Sequence, residues 1–393
     1  MMSTFIMAFF GFFFWIINAR LFSSSEIGLA TTLLSVTNLL ILFSALGLNI
    51  GLMRYLPSST EKSKLISSVI STICILSLVF STAYILFIPL LSPKLLFVQK
   101  SHGFAFFFVL LTTASVINGM IDTIFIIHRS SKYVLLKNTI ASVIKFALAY
   151  GLMKFGAFGL YSSYAGSTAI VMIIGLIILN YMFKLRIRPF LSTKLISGIA
   201  RFSFANFIAG FVATLPSMLL PIIITNQIDP KTSAFYYFDM TIISLLTIIP
   251  QATTQSLFAE GTHDKNRLRD NTLKTMKVIA FFLIPAVLVT LLFGKYILLV
   301  FGKEYSDAGT QFLRLMAISC LFAPFNYIFN TIVNIKKRID ILLIMNILNT
   351  GITLILSYAL IGRGLLGLGY AWLITEVMIV CIYGLVIKLF VLK

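Results

Sequence analysis

The sequence predicts an all-α, polytopic membrane protein, and three observations lead to this fold class. Of the 393 residues, 59% are hydrophobic and only 11% are charged, whereas soluble domains have about 45–50% apolar and about 25% charged residues. The apolar residues form runs of roughly 20, the length at which an α-helix crosses the hydrocarbon core. Short basic or glycine- and proline-containing loops separate these runs. Helices are required because an open sheet edge in lipid would leave backbone groups without hydrogen-bond partners.

These runs predict about twelve spans. The first run ends at Asn18-Ala19-Arg20 without a clear small-residue cleavage site, so we interpret it as a retained helix and not as a signal peptide. In chain order, the predicted spans cover residues 4–22, 26–53, 65–91, 104–128, 133–154, 159–183, 198–225, 232–258, 273–300, 308–334, 339–360 and 365–390.

The formal net charge of +19 is explained by basic loops on one side of a membrane, which is a simpler interpretation than a nucleic-acid surface. One set of alternate loops and span ends contains Arg54, Lys62, Lys64, Arg129, Lys132, Lys137, Lys184, Arg186, Arg188, Lys194, Arg201, Lys265, Arg267, Arg269, Lys274, Lys277, Lys336, Lys337, Arg338, Lys388 and Lys393. The opposite set contains only Arg20, Lys94, Lys100, Lys154, Lys231, Lys295, Lys303 and Arg363. The positive-inside rule therefore predicts a multi-pass protein of the cytoplasmic (plasma) membrane with both termini in the cytoplasm.

The two halves of the sequence resemble each other. An offset of 206 aligns the second and eighth spans, and from the fourth span onward the offset becomes 208. This pattern predicts two six-helix lobes, residues 1–190 and 191–393, related as parallel repeats by an axis along the membrane normal. Chance similarity of apolar segments is the alternative. The clearest equivalences at the offset of 208 are Asn118 with Asn326, Gly156 with Gly364 and Gly159 with Gly367.

The sequence offers little support for an enzyme. No loop exceeds about twenty residues, which leaves no room for a soluble catalytic or nucleotide-binding domain, and no GxxxxGK[ST] phosphate loop is found. We therefore expect no catalytic site, no cofactor and no nucleic-acid partner. The scattered cysteines and histidines do not suggest a disulfide framework or a metal site; they are Cys74, Cys320, Cys381, His102, His128 and His263.

Two segments carry a resemblance to a known family. Residues Phe14–Ala30, which contain Ala19-Arg20-Leu21 followed by Glu26-Ile27-Gly28, resemble the N-terminal signature of the polysaccharide-biosynthesis flippases. Residues Ala45–Pro57 are similar to the end of the second span in that family. The family includes the O-antigen-type oligosaccharide flippases and belongs to the superfamily of multidrug, oligosaccharidyl-lipid and polysaccharide exporters.

The resemblance implies two lobes that face a central cavity, which opens alternately to each side of the membrane. It further implies a flippase that moves a polyprenyl-pyrophosphate-linked oligosaccharide, or a dolichyl-linked one, to the external leaflet for surface polysaccharide or glycan biosynthesis. One alternative is a cation-coupled multidrug exporter of the same superfamily. Another is an integral membrane glycan polymerase or glycosyltransferase, although the loops are short for such an enzyme.

Charged residues within the spans are the candidates for transport. An ionised side chain near the bilayer centre costs about 2.5–3.5 kcal/mol on insertion scales, so each needs a partner or a water-filled cavity. Lys145, in the fifth span, is the best candidate to contact an anionic head group; pairing with Asp122 or snorkelling to the interface are the alternatives. Arg314, with Arg20, Arg54 and Arg201 at span ends, is predicted to form a cationic ladder or ordinary interfacial anchors.

Three carboxylates are candidates for coupling transport to a proton or sodium gradient, because a buried carboxyl can load and release a cation as a cavity alternates. Structural pairing with nearby polar groups is the alternative. The three are Asp122, Asp239 and Glu376. Asn326 and Asn330, spaced i and i+4, are expected to form a polar stripe on one helix face.

Overall fold

A computed structural model describes residues 2–185, 187–263, 268–336 and 338–386, which form helices and turns without a β-strand. This confirms the predicted all-α fold class. Packing divides the chain into two compact units, Met1–Ser233 and Ala234–Lys393. Six residues of the predicted basic loops lie outside the described residues, namely Arg186, Lys265, Arg267, Lys337, Lys388 and Lys393.

Two helix boundaries near the start of the first unit are well defined. A capping box begins the second helix, because Ser23 accepts the Glu26 amide and the Glu26 carboxylate accepts the Ser23 amide. That helix ends before Leu46 and Gly47, which both have positive φ, so the predicted span 26–53 is two helices. In chain order the described helices are α1 (Met2–Leu21), α2 (Ser24–Ala45), α3 (Leu48–Tyr55), α4 (Lys62–Leu91), α5 (Leu96–Lys100), α6 (His102–Ile127), α7 (Ser131–Gly151), α8 (Gly156–Met182) and α9 (Thr193–Gln227).

The second unit is entered through α10 (Pro230–His263), which begins in the first unit. The predicted span 308–334 is broken at Cys320–Phe322, where the amides of Leu321 and Phe322 make tight i to i−3 bonds before Pro324 begins a new helix. The helices that follow α10 are α11 (Leu268–Leu299), α12 (Lys303–Ser319), α13 (Ala323–Ile335), α14 (Ile339–Leu360) and α15 (Gly364–Val386).

Ten segments of the described chain are long and apolar enough to cross a membrane. The last of them, Asp340–Val386, contains both α14 and α15, and Phe9–Leu21 of α1 is a shorter apolar helix. Dividing that last segment and adding α1 gives twelve, in agreement with the predicted number of spans. The protein is therefore a multi-pass membrane protein.

The two sequence halves have the same kind of turn before their last helix. A short 3-10 turn, Met153–Phe155 or Ile361–Arg363, precedes a glycine with positive φ, 55° at Gly156 and 64° at Gly364. Only glycine adopts this conformation at no steric cost. The equivalence of the two turns therefore has a backbone reason as well as a sequence match.

The linker between the sequence halves is hydrogen-bonded to α4 of the first unit through residues 188–192. Three of its backbone amides donate to serine hydroxyls of α4: Arg188 to Ser67 at 3.2 Å, Phe190 to Ser71 at 3.1 Å, and Ser192 to Ser68 at 2.9 Å. The next helix, α9, packs against α2 and α3. Packing thus groups α9 with the first unit, while the predicted lobe boundary at residue 190 refers to the sequence repeat.

Two sets of packed helices place the charged residues. In the first unit, α8 packs against α6 and α7, and α6 against α4, around a core that includes the fully buried Ile66, Ile121 and Leu179. In the second unit, α12 packs against α11 and α15, and α15 against α14. Most of the apolar surface of these helices outside the core faces outward, as expected for side chains in contact with lipid.

Candidate functional site

Lys145 is a buried cation in the membrane-spanning part of α7. The residue is only 7% exposed, and its Nζ lies 4.9 Å from the ring centre of Phe14 on α1 and 5.7 Å from that of Tyr164 on α8. Within the described chain it has no acidic partner. Aromatic faces attract an ammonium group but do not neutralise it. The arrangement therefore leaves a positive charge able to attract an anion.

Asp122 is paired with a different lysine from the one considered in the sequence. Its Oδ1 accepts Lys137 Nζ at 2.8 Å, and the lysine side chain is fully buried while that of Asp122 is 23% exposed. The Lys145–Asp122 pair is therefore wrong. Lys137, which the sequence assigned to basic loop charge, lies one and a half turns inside α7.

The geometry of the α6–α7 hairpin explains this pairing and supplies the signal that was missed. Asp122 and Lys137 are equally distant in sequence from the hairpin turn at Arg129–Ser130, so they lie at the same depth on antiparallel neighbours. Lys145 is eight residues further along α7, or about 12 Å at 1.5 Å per residue. A lysine side chain does not bridge that distance, and symmetry about the turn identifies Lys137 instead.

Asp239 on α10 is fully buried in the second unit, and neither of its carboxylate oxygens has a hydrogen-bond partner among the described residues. It lies against α12 where Gly309 leaves room, since a Cβ at that glycine would be 2.8 Å from Asp239 Oδ2. A bare carboxylate is costly in such a place. A proton or a bound cation would remove this cost.

Glu376 lies beside a polar cluster formed by α13 and α15. Its Oε2 has no partner in the described chain, and Tyr383, two turns later on the same helix face, donates to Asn326 Oδ1 at 2.7 Å. The predicted polar stripe is present, because Asn330 also donates to Asn326 Oδ1 at 3.0 Å. Carboxylate and amide oxygens are suitable ligands for a hard cation such as sodium, and a carboxyl alone suits a proton.

The four predicted arginines are all exposed. In the first unit, the Arg54 guanidinium lies 4.3 Å from the ring centre of Phe202, the residue that follows Arg201 on α9. Arg20 occupies the last turn of α1, where a cation interacts favourably with the helix dipole. In the second unit, Arg314 donates to the Leu291 carbonyl at 3.1 Å. Among the described residues, no group of three His, Cys, Asp or Glu side chains is arranged to hold a metal ion.

Solved structures with a similar fold are membrane flippases and transporters. The lipid II flippase MurJ in an inward closed conformation matches with a TM-score of 0.80 at 15% identity, over 98% of this chain and 87% of that one. An inward-facing multidrug resistance MATE family transporter of the MOP superfamily matches with a TM-score of 0.74 at 16% identity, over 95% and 92%. A MOP superfamily transporter from Pyrococcus furiosus matches with a TM-score of 0.63 at 14% identity, over 98% and 91%.

These likenesses establish the two-lobed fold of the MOP superfamily, whose members named above are transporters and flippases rather than enzymes. No curated protein sequence matches the chain. A family model described as polysaccharide biosynthesis protein matches residues 17–310. Because the match covers most of the sequence, this chain belongs to the polysaccharide biosynthesis protein family.

Proposed function

We propose that this protein is a flippase that moves a polyprenyl-pyrophosphate-linked oligosaccharide across the cytoplasmic membrane by alternating access. Family membership supports polysaccharide biosynthesis as the process, and the fold is shared with a lipid II flippase. The observation that carries the proposal is that the Lys145 ammonium is buried and has no acidic partner within the described chain. The carrier is an anionic lipid, which must cross a region where water screens charge poorly.

A cation inside the spanning region lowers the barrier for such a head group. The Coulomb attraction between unit charges is several times stronger at an effective dielectric constant of 20 than in bulk water. The cation–π contacts with Phe14 and Tyr164 offset part of the free energy that burying the Lys145 ammonium costs. Within the described chain, no carboxylate competes with the pyrophosphate for the Lys145 ammonium.

The test is leaflet-specific labelling of the sugar in proteoliposomes, normalised to folded protein. Lys145→Ala is expected to reduce translocation at least tenfold, and Lys145→Arg to retain a measurable part because the charge remains. Lys154→Ala is the matched control, since Lys154 also lies over an aromatic ring, with its Nζ 5.2 Å from the Phe155 ring centre, but is exposed at a helix end. Normal translocation by folded Lys145→Ala would remove this residue from the substrate path.

Asp239 and Glu376 are proposed to couple transport to a proton or sodium gradient. Both carry carboxylate oxygens without protein partners in the described chain, whereas Asp122 is committed to Lys137. Asp239→Asn and Glu376→Gln should therefore slow gradient-driven flipping, while slow flipping without a gradient persists. Unchanged dependence on both imposed gradients in both variants would exclude these carboxylates as coupling sites.

Orientation follows from the basic loops and is proposed to place both termini in the cytoplasm. A reporter fused after Arg188 or Arg269 should be cytoplasmic, and one fused near Lys231 or Glu304 should be external. The opposite pattern would reverse the orientation.

A cation-coupled multidrug exporter is the second candidate, favoured by the buried unpaired carboxyl of Asp239 and by the MATE-like fold. Efflux of a fluorescent organic cation from cells separates the two functions. An exporter would need Asp239 for efflux and would tolerate Lys145→Ala. The flippase would show the reverse dependence on Lys145 and no efflux.

A further inference from the structure

A groove on the surface of the first unit is bounded by α4, α6, α8 and the linker. It has a volume of about 600 Å³, and it will be called the linker groove. One end, called the apolar end or slot, is lined by Ile75, Ile117, Ile173 and Ile177. The other end, called the mouth, is lined by Tyr181 and Arg188. The candidate transport site consists of charged residues, whereas this groove has an apolar slot and a polar mouth.

The apolar end of the linker groove is lined by partly exposed side chains. Ile75, Ile173 and Ile177 are each about half exposed, and their helices are among those apolar enough to span the bilayer. From Ile173 to Tyr181 the groove extends eight residues along α8, or about 12 Å. An extended acyl chain of the surrounding bilayer fits these dimensions and this polarity.

The mouth of the groove carries the guanidinium of Arg188. Arg188 is exposed, and within the described chain it has no acidic partner. Its backbone is fixed, because the linker amides of Arg188 and Phe190 donate to Ser67 and Ser71. A guanidinium presents a planar fork that matches a phosphate group. Basic pockets between helices at the cytoplasmic interface bind anionic lipid head groups.

We infer that the linker groove binds one anionic phospholipid, with an acyl chain between α4 and α8 and its phosphate on Arg188. Arg188 is the one cation among the described residues that line the groove. This favours a phospholipid over a polyprenyl pyrophosphate, because one cation balances a phosphodiester but leaves further charge on a pyrophosphate. The fixed linker also favours a resident lipid over a moving substrate. The site does not depend on the proposed function, since it is tested by binding alone.

The experiment uses native mass spectrometry of the purified full-length protein with phosphatidylglycerol, phosphatidylcholine or a polyprenyl phosphate. Wild-type protein should retain one phosphatidylglycerol about tenfold better than phosphatidylcholine. Arg188→Gln should lose this preference. Lys194→Gln is the matched control, because it removes the same charge from the exposed start of α9, outside the groove. Ile173→Trp fills the slot from a half-exposed position and should release the bound lipid.

A second readout comes from Cys74, which lines the groove, and Cys381, an exposed cysteine in the second unit. Phosphatidylglycerol should slow the reaction of Cys74 with N-ethylmaleimide and leave that of Cys381 unchanged. Equal retention of phosphatidylcholine, retention unchanged by Arg188→Gln or Ile173→Trp, or displacement of phosphatidylglycerol by equimolar polyprenyl phosphate would each overturn the proposal. The last outcome would assign the groove to the carrier lipid of the transport substrate.

Discussion

Equivalent positions in the two sequence halves differ in charge: the first half has an ion pair, and the second half has neutral side chains. In the first half, Asp122 and Lys137 form a buried ion pair, and Gly175 on α8 leaves room for the lysine, since a Cβ there would lie 3.2 Å from Lys137 Cδ. The offset of 208 gives the counterparts of these three residues in the second half. They are Asn330, Met345 and Tyr383.

The second half fills the same space with neutral groups. The Tyr383 ring stacks on Phe329 at a centroid distance of 3.9 Å, and its hydroxyl donates to Asn326. Met345 is 2% exposed. A bulky tyrosine stands where the first half has glycine, and a thioether where it has an ammonium group. The comparison teaches that the helical repeat does not itself require the ion pair.

The largest effect should come from breaking that pair on one side. Asp122→Asn strands a fully buried ammonium and is expected to lower the free energy of unfolding by about 3–5 kcal/mol. The double change Asp122→Asn with Lys137→Met copies the second half and should recover most of the loss. Denaturant titration in detergent micelles measures both.

Lys64→Gln is the control for this comparison, because it breaks the exposed Lys64–Glu61 pair and should cost under about 1 kcal/mol. A double variant as unstable as Asp122→Asn would show that the first half depends on its ion pair. The two halves would then differ in packing and not only in charge.

Adding a methyl group at Gly175 should have the next largest effect. The new Cβ of Gly175→Ala would lie 2.8 Å from Ile121 Cγ2, and overpacking of this kind costs about 1–3 kcal/mol. Gly119→Ala, where nothing lies within 4 Å of the added atom, should be neutral or stabilising. Equal losses at both glycines would contradict the steric explanation.

Substitutions at the two equivalent turns, Gly156 and Gly364, should give smaller losses of stability. Gly364→Ala should cost about 1 kcal/mol, because alanine is strained at positive φ. Gly156→Ala should cost about 1 kcal/mol more, since its Cβ would also lie 2.7 Å from Glu26 Oε1. Thermal unfolding of the two variants side by side measures the difference. A larger loss at Gly364 would reverse the expected order.

The smallest effect is expected from Tyr383→Phe. The ring stack on Phe329 is retained, and Asn326 Oδ1 still accepts from Asn330, so about 0.5–1 kcal/mol is lost with the hydroxyl. Asn326→Leu removes both hydrogen bonds and serves as the comparison. If Tyr383→Phe were the more damaging of the two, the hydroxyl would have a partner besides Asn326.

The sequence predicted the features that depend on local chemistry. The repeat placed Gly156 and Gly364 at equivalent turns, where the structure shows positive φ at both, and span number follows from apolar run length. The break at Cys320–Phe322 was missed, although Pro324 marks it, because the run stays apolar across it. Partners of charged groups depend on which helices are neighbours, so Asp122 was first considered with Lys145 and not with Lys137. The roles of Lys145, Asp239 and Glu376 stay predictions for the same reason.

The hydrogen bonds between the linker and α4 also have a mechanical consequence. Ser67, Ser68 and Ser71 hold successive alternate amides of the linker, so a pull along it loads several bonds together rather than one after another. Residues 188–192 lead directly into α9. A displacement of the start of α9 is therefore opposed by the serine hydroxyls of α4.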